Sequence, residues 1–121
     1  MLTILNVCPV GKPRMTQRDK WMKRECTNKY WTFCDTLRWE VKAKKLELTK
    51  SLRIIFYLPI PKSYKKRKEY ENKPHDKKPD WDNLAKAFCD ALYPEDSVIY
   101  HADVTKYYSL TPRIEVEFLN I

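Results

Sequence analysis

The stretch K-K-P-D-W-D-N-L-A-K-A-F-C-D-A-L-Y-P-E-D, from Lys77 to Asp96, places four aspartates and a glutamate within twenty residues of a chain whose formal net charge is +8. Asp80 and Asp82 are two apart, so in an extended segment their side chains leave on the same side. Asp82, Lys86 and Asp90 then fall at intervals of four, which is one stripe of a helix. The rest of that helix is Leu84, Ala85, Ala87, Phe88, Cys89, Ala91 and Leu92, apolar nearly all the way round. A helix of this kind is ordinarily buried. Burying an Asp-Lys-Asp stripe is costly unless the charge is compensated, and a divalent cation with a phosphate would compensate it. The stretch therefore reads as a core helix that carries chemistry. Asp80 lies ahead of it, Asp82 at its start, Asp90 in its last turn and Asp96 just before a strand.

Working outward, Leu2–Val7 alternates and is β-prone, a first strand. Gly11, the chain's one glycine, opens a basic, breaker-containing stretch that runs to Arg24; an unusual backbone angle is expected there. From Asn28 to Lys44, Tyr30, Phe33, Cys34, Leu37 and Val41 recur at three and four, an amphipathic helix with Thr27 or Asn28 as its cap. Ser51–Leu58 is β-branched and aromatic, a second strand closed by Pro59-Ile60-Pro61. Ser63 would cap a short helix over Tyr64–Glu71. After the acidic helix, Tyr93-Pro94 turns the chain, and Val98–Tyr108 and Arg113–Leu119 read as two strands split by Ser109–Pro112. The order β, α, β, short α, α, β, β implies an α/β (α+β) fold. We expect one small domain over residues 1–121, with a mixed four-stranded sheet packed by two or three helices.

Composition agrees. A chain of 121 residues with 43% hydrophobic residues and sixteen aromatics can build a real core. No run approaches the ~18 apolar residues of a membrane span. The apolar start, Met1–Val10, lacks a basic n-region and a cleavage site, so it reads as a strand and not a signal peptide. A cytoplasmic location follows. Cysteines 8, 26, 34 and 89 form no C-x-x-C pair, and His75 and His101 lie far from them, which argues against zinc. Reduced, mostly buried thiols are expected. Charge is divided unevenly: residues 1–78 hold 21 Lys/Arg against 8 Asp/Glu, and residues 79–121 hold 3 against 8. A basic surface attached to an acidic centre suits a metal-dependent nuclease, with cations to gather a polyanion and carboxylates to hold the metal that cuts it.

Such chemistry needs hard oxygen ligands, because Mg²⁺ takes carboxylates and keeps several waters. The metal lowers the pKa of a bound water and offsets charge on the phosphate, and two metals ~3.5–4 Å apart could clamp attacking and leaving oxygens. Other readings of the same acids stand beside this one. Asp82 or Asn83 would serve as an N-cap, and Asp82, Lys86 and Asp90 as an i,i+4 ion-pair ladder. An EF-hand fails, since D-x-D-N is followed neither by the required glycine nor by the later bidentate acid. Glu95 and Asp96 compete for one ligand position. Asp103 reads as a surface residue, and His101 as a structural or surface group more than a proton shuttle. Trp81 either anchors its loop in the core or stacks on a splayed base; anchoring suits a site that needs rigid support.

Lys78-Pro79-Asp80-Trp81-Asp82-Asn83-Leu84, then Lys86, Asp90-Ala91-Leu92 and Glu95-Asp96-Ser97, resemble the signature of RusA-type Holliday-junction resolvases, small DNA endonucleases of bacteria, phages and prophages. Gly11-Lys12-Pro13-Arg14 and Pro112–Phe118 resemble the family's ends. The resemblance implies that Asp80, Asp82 and Asp96 are catalytic carboxylates binding Mg²⁺, with Mn²⁺ as a substitute, and that Lys86 is the essential lysine. Asp90 and Glu95 are possible additional acids. The turn between Asp90 and Asp96 is short, with no Gly-aromatic insertion after Ala91-Leu92, and Pro94-Glu95 precedes Asp96 where the family usually has an acidic pair after an apolar residue. A homodimer is implied that nicks two strands of a four-way junction symmetrically, in DNA recombination and repair. Lys12, Arg14, Lys65, Lys66, Arg67, Lys77 and Lys78 are the expected DNA contacts. The rival readings are a nuclease for another branched or single-stranded nucleic acid, RNA included, and a catalytically silent DNA-binding module whose acids are only caps and ion pairs.

Overall fold

The computed structural model describes residues 2–13 and 25–119. In chain order it forms β1 (Thr3–Leu5), α1 (Glu25–Ala43), β2 (Ser51–Pro59), α2 (Trp81–Leu92), β3 (His101–Ser109) and β4 (Arg113–Leu119). Single-turn 3-10 helices at Arg67–Tyr70 and Asp96–Val98 flank α2. The four strands make one sheet in the order β1-β4-β2-β3. β1 and β2 are antiparallel to β4, while β2 and β3 are parallel. The parallel pair needs a crossover, and α2 lies within it. The α+β fold with a mixed four-stranded sheet is as the sequence indicated, with two helices rather than three.

β2 sits inside the sheet, which is why its residues are buried almost continuously. Leu52, Ile54, Phe56 and Leu58 share one core with Phe33, Cys34, Leu37 and Val41 of α1, and with Leu84, Ala87, Phe88 and Ala91 of α2. Phe56 meets Phe88 edge to face, with ring centroids 6.3 Å apart, a favoured aromatic geometry. On the opposite face the Arg113 guanidinium covers the Tyr57 ring at 3.8 Å. Arg113 also pairs with Glu115 at 2.8 Å, so the charge that lies over the ring is matched. Buried Glu40 ties α1 to the first strand by accepting from the Asn6 main-chain N–H and from Lys44. These bonds, led by that from Lys44, outweigh burial and hold the Glu40 carboxyl below its usual range.

Several boundaries differ from expectation for local reasons. α1 begins by Glu25, so Thr27 and Asn28 lie inside it and do not cap it. The segment over Tyr64–Glu71 yields one 3-10 turn entered from Lys66, not a helix capped by Ser63. What holds it is an aromatic cluster, with Tyr70 meeting Tyr64 at 4.9 Å and Tyr108 at 5.5 Å. β3 starts three residues later than read, because Asp96–Val98 form a 3-10 turn. Cys34 and Cys89 are buried thiols, whereas Cys8 is exposed. The side chain of Cys26 lies outside the described residues.

Gly11 does not adopt the positive φ expected of it. Its requirement is space. A Cβ there would stand 2.7 Å from the Asn83 amide nitrogen and 3.0 Å from the Pro79 Cβ, so the loop at Gly11 lies directly against the entrance of α2.

Candidate active site

α2 divides its residues by helical phase. Leu84, Ala87, Phe88 and Ala91 face the sheet, and the Asp82-Lys86-Asp90 stripe is turned outward. The expectation of a helix buried nearly all round is therefore corrected: Lys86 has 57% of its side chain exposed and Asp90 has 22%. Lys86 lies 3.6 Å from both Asp90 and Asp96. It thereby joins the last turn of the helix to the 3-10 turn that follows. Lys12 reaches Asp90 at 2.6 Å. Partial burial opposes the charge on Asp90, but the Lys12 hydrogen bond and the Lys12 and Lys86 charges outweigh it and hold that carboxyl below its usual range. Beneath this surface, burial and the charges of Asp96 and Asp90 push the Cys89 thiol up to about 11, so it stays protonated.

Asp80 and Asp82 behave differently. The N-cap position of α2 is Asp80, not Asp82 or Asn83, and the Asp80 side chain makes no capping hydrogen bond. Asp82 accepts only from the neighbouring Asn83 N–H, at 2.9 Å. Both are exposed. Among the described residues neither is in an ion pair, so the ladder is made between Lys86 and Asp90 and does not extend to Asp82.

The loop that carries Asp80 is held from the sheet. The Lys106 ammonium, on β3, donates to the Lys77 carbonyl at 2.6 Å and to the Pro79 carbonyl at 2.8 Å. Buried His75 donates its main-chain N–H to the Lys106 carbonyl at 3.1 Å. Burial, reinforced by the Lys106 charge, keeps the His75 imidazole below its usual pKa. Sequence reasoning missed Lys106. The available signal was that residues 79–121 contain only three basic residues, Lys86, Lys106 and Arg113, and a lone lysine in an alternating strand beside acids invites a specific partner.

Trp81 does not anchor the loop in the core, for it is 59% exposed. Its phase matches that of Leu84 and Phe88, but at the first turn of α2 the indole lies beside the edge strand, with His101–Val104, and not beneath the sheet. His101 is exposed, its Nδ1 2.7 Å from the buried Ser51 Oγ. Asp103 is an exposed surface residue, as read, and Glu95 is exposed beside Asp96.

The basic residues separate into two kinds. Lys65, Lys66, Lys77 and Lys78 are exposed. Arg67 is half-buried and donates to the Ile60 carbonyl at 2.8 Å, and Lys12 is committed to Asp90. Arg14 lies outside the described residues.

Among the described residues no three His, Cys, Asp or Glu side chains stand close enough to enclose a metal ion. The donor chemistry of Asp80, Asp82 and Asp96 nonetheless fits Mg²⁺. That cation uses one or two carboxylates, substrate phosphate and several waters in place of an all-protein cage. Two of the three carboxylates have no competing ion pair among the described residues.

A family model described as "Endodeoxyribonuclease RusA" matches residues 6–118. A protein of Bacillus subtilis (strain 168) described as "Uncharacterized protein YqaN" is 41% identical over 76 residues, covering 54% of this chain and 54% of that protein. The chain thus spans about half the length of that relative. Among the described residues, no helix is long and apolar enough to cross a membrane.

Proposed function

Because the chain belongs to the RusA endodeoxyribonuclease family, we propose that it is a Mg²⁺-dependent, structure-selective DNA endonuclease. It resolves four-way junctions by paired nicks in recombination and repair, as one domain over residues 1–121 that works as a cytoplasmic homodimer. The observation that carries this reading is the state of Asp80 and Asp82: both exposed at the entrance of α2, the Asp80 side chain making no capping bond and neither in an ion pair among the described residues. A silent binding module would engage these acids as caps or ion pairs; among the described residues the one side-chain bond to either is that from the adjacent Asn83 N–H to Asp82, which supports the catalytic reading.

Asp80, Asp82 and Asp96 would hold the cation, which supplies a water of lowered pKa and offsets charge on the phosphate. Glu95 remains the competitor of Asp96 for the last position. The chain's own residues do the rest. Lys106 fixes the Lys77 and Pro79 carbonyls and so sets the direction of Asp80. Lys86, more than half exposed and beside Asp96, is placed to meet a phosphate oxygen. Water adds to phosphorus, the bridging P–O bond breaks, and the departing sugar oxygen takes up a proton. Asp90 pairs closely with Lys12 and, at 3.6 Å, helps to orient Lys86, which is a positioning role.

The deciding experiment compares a synthetic four-way junction with linear duplex of the same sequence, with Mg²⁺ and with EDTA. Symmetric nicks in the junction with Mg²⁺ alone are expected. Equal cleavage of duplex, or none of either, would overturn the junction reading. Cleavage of flaps or single strands in preference to junctions would move the substrate class to another branched nucleic acid.

A further inference from the structure

Trp81 stands between two candidate catalytic carboxylates and exposes 59% of its surface, unusual for so large an apolar side chain. It forms one wall of an open cleft of about 460 Å³ whose other wall is His101–Val104 of β3. β3 is the edge of the sheet, and its outer side is covered only in part. Residues 72–75 run along its C-terminal half, with Asn72 N–H donating to the Tyr108 carbonyl, Tyr108 N–H to the Lys73 carbonyl and His75 N–H to the Lys106 carbonyl. The N-terminal half, His101–Val104, borders the cleft instead. Next to it, Tyr100 is 64% exposed.

From this arrangement we infer that the cleft is a subsite for one unpaired nucleobase of the cleaved strand, stacked on the Trp81 indole. The inference rests on the nuclease reading for the identity of the strand. The occupant is a base and not a phosphate for a physical reason. Asp103 is among the lining residues, and Asp80 and Asp82 are the chain neighbours of Trp81; carboxylates repel a phosphate but accept hydrogen bonds from ring N–H and exocyclic amines. A flat indole offers a face on which any base can stack, a contact that is sequence-tolerant. Trp81 is joined by one peptide bond to Asp80 and by one to Asp82. A base held there therefore fixes its own backbone phosphate within reach of both carboxylates, which is how orientation lowers a barrier.

The test is a fluorescence titration of single-stranded oligonucleotides containing one 2-aminopurine, in EDTA so that no cleavage intervenes, with wild type, Trp81→Ala and Trp81→Phe. Wild type and Trp81→Phe should quench the probe by stacking. Trp81→Ala should abolish the quenching and weaken binding by roughly tenfold or more, within the range for loss of one base–aromatic stack. The probe opposite an abasic site in duplex should remain unquenched by Trp81→Ala. Quenching by Trp81→Ala equal to that by wild type overturns the proposal. So does loss of the dimer in Trp81→Ala with quenching unchanged, which assigns the indole to a subunit interface. Failure of junction cleavage with the Trp81-dependent quenching intact would refute the junction-resolving reading and leave the subsite standing.

Discussion

At the scale of single residues the site divides into carboxylates that are free and carboxylates that are spent. Asp80 and Asp82 have no structural duty that the fold reveals, so Asp80→Asn and Asp82→Asn should leave the melting temperature within a few degrees of wild type. Cleavage should fall at least a hundredfold, about 2.7 kcal/mol of barrier at 1.36 kcal/mol per tenfold. Junction binding by gel shift should survive, since removing a carboxylate lessens repulsion with phosphate; a large affinity loss in both variants would contradict a catalytic role. Lys106 makes the complementary case. Its two bonds to the Lys77 and Pro79 carbonyls predict that Lys106→Met lowers kcat by about tenfold or more. KM should stay within threefold, and Lys106→Arg should recover part of the loss. A Lys106→Met enzyme with unchanged kcat in a folded protein would show that the clamp is dispensable. The pattern D-x-D with a lysine four residues on announces Asp80, Asp82 and Lys86 from sequence, because the spacing is local. The sequence marks Lys106 as one of three basic residues among acids, but its partners were illegible, because they are main-chain carbonyls 27 and 29 residues away, and a carbonyl leaves no mark in a sequence.

At the scale of elements, α2 shows what periodicity decides and what it leaves open. It placed Leu84, Ala87 and Phe88 in the core and set Asp82, Lys86 and Asp90 on one stripe. It did not show that the stripe faces out, since Ala85 and Cys89 made the helix look apolar on every side. Nor could it show that Lys12, 78 residues earlier in the chain, closes on Asp90, or that Arg67 donates to the Ile60 carbonyl. The Asp90 tie has a pH signature. Its folded pKa lies below the ordinary carboxylate value, net of a burial effect that acts the other way. Its contribution to stability is therefore fully present above the unfolded value of about 4 and is lost as pH falls through the lower folded value. Melting curves of wild type and Asp90→Asn should differ most near pH 6, and the wild-type advantage should shrink steadily below about pH 4. A constant difference from pH 6 to pH 2 would show that the ion pair carries no net stability. Lys12→Ala should reproduce the Asp90→Asn behaviour, because it removes the shortest of the contacts to that carboxylate.

At the scale of the whole molecule, a chain of net charge +8 holds five of its sixteen acids between Lys77 and Asp96, and the proposed function assigns affinity and chemistry to different surfaces. Lys65 and Lys66 are exposed, while neighbouring Arg67 is half-buried and donates to the Ile60 carbonyl. Neutralising the two lysines together should lower the slope of log K against log salt by up to about 1.8, at about 0.9 per duplex phosphate contact, without altering cleavage of saturating substrate. An unchanged slope would make that patch a bystander. The proposed substrate bears on assembly. A four-way junction has approximate two-fold symmetry, and its resolution needs two matched cuts. On the proposed function the one set of candidate carboxylates on this chain would supply one cut, so two copies about a two-fold axis are the economical arrangement. The surface has a place for such a contact: Trp31 and Trp39 are 50% and 67% exposed on α1, and their eight-residue spacing puts them on neighbouring parts of one helical face. Interfaces are enriched in aromatics, whereas the exposed parts of two indoles gain nothing from contact with water. We therefore expect sedimentation at micromolar concentration to give twice the chain mass for wild type. Trp31→Ser combined with Trp39→Ser should give the monomer, its melting transition retained because neither indole belongs to the buried core. That monomer should still nick one strand of a junction but release products in two uncoupled steps. A strict wild-type monomer that cuts both strands in one encounter would remove the need for a second copy and leave the two tryptophans for another partner.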